Sequence, residues 1–135
     1  MKTLLLLLVA TAAFGQQPPP QEDPIGQQLF PPELIMSQSQ KLHLDEKQRT
    51  TIKNEVQRAQ SKFFDLQWEL KEASDAMVQM LQQTPIDEPR VLEQADKVMG
   101  LEREIKKIHL SMLIRIKNSM TAEQIGQLRQ LRGGR

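Results

Sequence analysis

The chain has no cysteine and no tyrosine, and only one tryptophan and four phenylalanines among its 135 residues. Without thiols there is no disulfide framework, no thiolate metal centre and no cysteine nucleophile. So few aromatic rings leave little bulk for a thick core. Proline and glycine are both missing between Glu33 and Thr84, and proline does not recur after Pro89. Long stretches without either breaker favour helices over a loop-rich fold. No stretch alternates with period two for long enough to form a strand. With two histidines and no cysteine, nothing points to an acyl-transfer triad, and Gly133-Gly134 at the chain end is no phosphate loop. These absences exclude most enzyme classes, so we expect a non-catalytic all-α protein without a cofactor.

The chain opens with Lys2 and an apolar run from Thr3 to Ala13, dominated by Leu4 to Leu8. That run falls short of the roughly 20 apolar residues needed to span a bilayer. Ala13-Phe14-Gly15 meets the small-x-small rule for cleavage, so residues 1–15 read as a signal peptide and the protein as periplasmic. No cysteine follows to carry a lipid anchor, and no membrane span is expected. Residues 16–32 hold six of the eight prolines. A stretch so poor in large apolar side chains cannot offset its ordering entropy and reads as a disordered spacer. A helical domain is expected over 33–132, with residues 133–135 a frayed end.

Within that domain the turn Thr84-Pro85-Ile86-Asp87-Glu88-Pro89 separates two long helical patterns. Ile52, Val56, Ala59, Phe63, Leu66, Leu70, Ala73, Met77 and Met80 recur at alternating spacings of four and three, a coiled-coil seam. Val91, Ala95, Val98, Leu101, Ile105, Ile108, Met112 and Ile116 answer it on the second. A short turn makes the two antiparallel neighbours, so the spacing predicts a hairpin in which facing residue numbers sum to about 171. Long helices are expected from Asp45 to about Gln83 and from Asp87 to about Ser119. Shorter ones flank them, from about Pro32 to Leu42 and from Thr121 to about Leu131. Gly100 inside the third helix reads as a close-approach or bend point.

Two short segments repeat one pattern. Leu44-Asp45-Glu46-Lys47-Gln48 and Met120-Thr121-Ala122-Glu123-Gln124 each put an apolar residue before an N-cap side chain and Gln three positions after it. The cap oxygen accepts from an early backbone N–H, and the Gln reaches back to the cap's own N–H. Met120 against Ile125 adds a hydrophobic staple. The hairpin register brings both caps to the end opposite the turn, where the two Gln amides can also bond each other. This pair resembles the LTxxQ signature of the Spy/CpxP family of periplasmic proteins. Asp45 stands where Thr is typical, and Met120 where Leu is, and both swaps preserve the capping. The resemblance implies an ATP-independent chaperone, shaped as a cradle-like homodimer of helical hairpins, that binds unfolded or misfolded proteins under envelope stress.

Several apolar residues lie off the seam. Phe64 and Trp68 are one turn apart on a flank of the second helix, and Leu110, Leu113 and Ile114 widen the apolar face of the third. They are the candidates for client contact. The basic surplus from Ile105 onward, seven Lys/Arg against Glu123 alone, fits contact with acidic partners or a solvated face paired as in Glu93–Lys97 and Glu102–Lys106. Export argues against nucleic acid. The alternative implied by the same family is a heavy-metal sensor or resistance protein that binds a divalent ion through His, Glu and sometimes Met, with His109 beside Met112 or Glu104 as a half-site completed across a dimer. Its candidates here are His109, Met112 and His43. The register puts His109 opposite Lys62, roughly 26 Å from the cap at Asp45, so one chain cannot bring both histidines to one ion.

Overall fold

The computed structural model describes residues 23–133. The signal peptide expected at 1–15, residues 16–22 of the spacer and the last two residues lie outside the described residues. Among the described residues a single 3-10 turn, Gly26–Gln28, precedes four α-helices: α1 (Pro32–Ser37), α2 (Glu46–Leu81), α3 (Glu88–Asn118) and α4 (Ala122–Gly133). No strand occurs among the described residues. The all-helical expectation and the long hairpin both hold.

Helix α1 starts with Pro32 at its first position, where a missing N–H costs nothing. It ends at Ser37, five residues short of the expected Leu42. Turn bonds carry the chain onward, from Leu42 N to Gln38 O and from Leu44 N to Ser39 O. His43 between them is left-handed, with φ 51°. Leu42 and Leu44 are both buried while His43 is exposed. Residues two apart do not share a helix face, so burying both leucines requires this bend.

Helices α2 and α3 pack as the antiparallel hairpin. Two cross-links fix the register: Arg115 lies 3.6 Å from Glu55, and the Gln94 amide donates to the Ala73 carbonyl at 2.7 Å. In each pair the numbers sum to within four of 171. Ala73 itself is buried, and its small side chain leaves the carbonyl accessible to Gln94. At 36 residues, α2 is about 54 Å long.

The core is not spread along that length. Phe30, Ile35, Leu42, Leu44, Ile52, Ile116, Met120 and Leu128 form one buried cluster where α1 and α4 fold against the base of the hairpin. Each such side chain contributes about 1.5–3 kcal/mol. Toward the turn only Ala73 and Val98 are buried. The molecule is a compact base carrying a bare two-helix arm.

Three expectations need correcting. The spacer read over 16–32 is ordered from Asp23 onward, because Phe30 supplies a large side chain that the core takes in with 1% of its surface exposed. Gly100 is no close-approach point: a Cβ built there meets nothing within 4 Å. The helix also runs on through Gly133, first residue of the expected frayed end.

Candidate functional site

At the base, the two repeated segments are joined into one structure. The Asp45 side chain accepts from Gln48 N at 2.7 Å, and Gln48 Oε1 accepts from Asp45 N at 3.1 Å. The second cap mirrors it: Thr121 Oγ1 accepts from Gln124 N at 3.2 Å, and Gln124 Oε1 accepts from Thr121 N at 2.9 Å. The two amides then bond each other, Gln48 Nε2 to Gln124 Oε1 at 2.7 Å and Gln124 Nε2 to Gln48 Oε1 at 3.1 Å. Their remaining N–H groups donate to main-chain carbonyls, Gln48 to Ser119 and Gln124 to Leu42. Each amide thereby uses both donors and both acceptor positions. Both glutamines are buried, so the arrangement leaves no orphaned polar atom. The left-handed turn at His43 belongs to it, since that turn presents the Leu42 carbonyl. Leu44 and Met120, the residues before the two caps, are buried in the cluster.

Beside this clasp lies a second feature, absent from the sequence reading. Arg132 Nη1 donates to the carbonyls of Gly26 and Gln27 at 3.3 and 2.9 Å, and Nη2 to that of Leu29 at 2.6 Å. Lys117 Nζ donates to Gln28 O at 2.7 Å. Both cations also flank the Phe30 ring, the Arg132 guanidinium 4.7 Å and the Lys117 ammonium 5.9 Å from its centroid. One signal existed: Phe30 is the only aromatic residue in the Pro/Gln-rich stretch and directly precedes Pro31-Pro32.

The arm carries the exposed apolar side chains. Phe64 is 62% exposed and Trp68 54%, with their rings in edge contact at 6.2 Å between centroids. They border an open notch with Gln67, Leu70 and Lys71. The Lys71 ammonium is held above its usual value by a hydrogen bond to Asp75. On α3, Leu110 and Ile114 are exposed, as is Met99, and Leu113 is half-buried. Helices α1 and α4 cover the base, not these residues.

The remaining candidates are scattered. His43 and His109 are exposed, and Met112 packs against the core cluster. Among the described residues no three His, Asp or Glu side chains converge as a metal site would require. The late basic residues have separate tasks: Arg115 reaches Glu55, Lys107 lies 3.7 Å from Glu104, and Lys117 and Arg132 hold the segment before α1. The Glu93–Lys97 and Glu102–Lys106 pairs are not within ion-pair distance among the described residues, as exposed pairs gain little from closing.

An all-helical hairpin, clasped at its base by two Gln-bearing caps and bare along its arm, defines the class of fold. A family model described as heavy-metal resistance matches residues 3–127, and the chain belongs to that family, which is of the Spy/CpxP-like LTxxQ type. Comparison with curated proteins and with solved structures gives no match. No helix among the described residues is long and apolar enough to cross a membrane.

Proposed function

We propose that this protein is a periplasmic, non-catalytic, ATP-independent chaperone that holds unfolded polypeptides and keeps them from aggregating. One observation carries the reading: large apolar side chains, Phe64 and Trp68 foremost, stand in solvent on an arm that has no core behind it. Adjacent exposed apolar side chains, rimmed by polar ones, are the mark of an interaction site. Met99 adds an adaptable thioether about three turns from Leu110 along the same face of α3, suited to loosely packed, sequence-tolerant contact. Release needs no nucleotide, because each contact is small. The N-terminal apolar run and its Ala13-Phe14-Gly15 site support export, and a homodimer would gather two arms into one cradle.

Family membership favours a second reading, direct binding of a divalent metal ion. His109 with Met112, or His43, would then be ligands, with the set completed across a dimer. One experiment addresses both: aggregation of an unrelated unfolding protein, followed by light scattering with and without zinc or copper. Suppression near one-to-one stoichiometry, independent of metal, supports the chaperone. Absence of suppression, together with saturable metal binding lost in His109→Ala, would establish the metal reading instead.

A further inference from the structure

The clamp on residues 25–30 reads very little of their sequence. Its four hydrogen bonds go to the carbonyls of Gly26, Gln27, Gln28 and Leu29, atoms that every polypeptide carries. Gly26 has no side chain, and the side chains of Gln27 and Gln28 are exposed. Leu29 is half-buried, and the one fully buried side chain is Phe30, whose ring lies against both cations. The receptor is therefore two basic side chains beside an apolar slot, and it asks for a run of carbonyls followed by an aromatic ring.

We infer that this slot is a binding site for aromatic-bearing segments of unfolded polypeptides, with residues 25–30 as its resident, displaceable occupant. The inference rests on the client-holding role proposed above and places a second client contact at the base. Unfolded chains offer free carbonyls and accessible rings, whereas folded ones sequester both. The resident segment is attached in a way that permits exchange. Its backbone bonds are internal, Gln27 N to Asp23 O, Gln28 N to Ile25 O and Leu29 N to Gly26 O. Among the described residues, every hydrogen bond from 23–30 to the rest of the domain comes from Lys117 or Arg132. Ile25 is 67% exposed, leaving Phe30 as the single deep anchor. Detachment would thus break no helix and disturb neither glutamine of the clasp.

The test uses the intact chain and labelled peptides: one with the sequence of residues 23–32, one unrelated peptide bearing a single Phe, and each with that Phe replaced by Ala. Binding is read by fluorescence anisotropy, and displacement by hydrogen exchange at the amides of Gln27, Gln28 and Leu29. Both Phe-bearing peptides should bind and accelerate exchange at those three amides, and the Phe→Ala versions should bind at least tenfold more weakly. Lys117→Gln with Arg132→Gln should weaken binding by about tenfold. Peptide binding without faster exchange at 27–29, or binding of the chain's own sequence alone, would overturn the inference. No unfolding client is needed, so the outcome is separable from the aggregation assay. Suppression of aggregation without displacement leaves the chaperone reading standing and removes the slot. Displacement without suppression does the reverse.

Discussion

The side-chain amides of Gln48 and Gln124 exchange two hydrogen bonds across the base of the hairpin, at 2.7 and 3.1 Å. Residues 76 positions apart are joined by the same atoms that cap their own helices. Start signals for α2 and α4 are thus also the tertiary contact between them. Replacing Gln48 by Ala strips partners from Asp45 N, from Ser119 O and from the Gln124 amide. Leaving buried polar groups unsatisfied costs about 1–3 kcal/mol each where water cannot reach them. We expect Gln48→Ala or Gln124→Ala to lose roughly 3 kcal/mol by urea denaturation, with the double variant well short of the sum. Additive losses would mean that the two amides do not act as a pair.

A charge at the same place makes the clasp sensitive to pH. In Gln124→Glu the ionised carboxylate would face the Leu42 carbonyl and Gln48 Oε1, both acceptors, with no proton to donate. Burial and these acceptors raise the folded-state pKa of the introduced acid above its unfolded value. Stability is then fullest below the unfolded pKa and falls as pH rises through the folded one. Thermal melts of this variant should rise between pH 7 and pH 4.5 relative to the parent chain. An unchanged difference across that range would remove the argument.

His43 separates the structural from the metal-binding role of one residue. A non-glycine residue in the left-handed region costs roughly 1–2 kcal/mol, and glycine escapes that strain. His43→Gly should therefore hold or raise stability by up to about 1 kcal/mol, and His43→Val should lower it by more. Zinc or copper titrations of His43→Gly should match the parent chain. Loss of saturable binding in that variant would assign His43 as a ligand.

The hairpin was legible in the sequence because its signals are local and periodic: spacings of four and three along α2, the answering stripe on α3, and one proline-bounded turn between them. The joining of the glutamines could be derived from the same register, since Gln48 and Gln124 fall at one end of the pairing. What escaped was non-periodic. Phe30 sits alone in a proline-rich stretch, and the groups it is buried against include Ile116, Leu128 and Arg132, the last more than 100 residues away. Composition averages such a residue into its surroundings. Gly100 failed for the opposite reason: the sequence shows a breaker, and only the structure shows the empty space around it.

That empty space gives a stabilising substitution. Gly100 lies inside α3 and Gly126 inside α4, and a Cβ at either meets nothing within 4 Å. Glycine in a helix interior is about 1 kcal/mol less favourable than alanine. Gly100→Ala and Gly126→Ala should each raise stability by roughly 0.5–1 kcal/mol. A melting temperature lowered by either change would show that a neighbour does approach that position.

The distribution of the core predicts where the molecule opens and where it binds. Ile116 and Leu128 are fully buried at the base, so Ile116→Ala or Leu128→Ala should cost about 2–5 kcal/mol. Phe64 and Trp68 fill no cavity, and Phe64→Ser with Trp68→Ser should change stability by about 1 kcal/mol or less. The same pair should sharply reduce suppression of aggregation if the arm is the client surface. Trp68 is the only tryptophan, so its emission reports on the arm alone. It should be that of a solvent-exposed indole in the free protein and shift to shorter wavelength when an unfolded polypeptide is added. A double variant that is stable, folded and fully active, or emission indifferent to client, would leave the exposed arm without the role assigned to it.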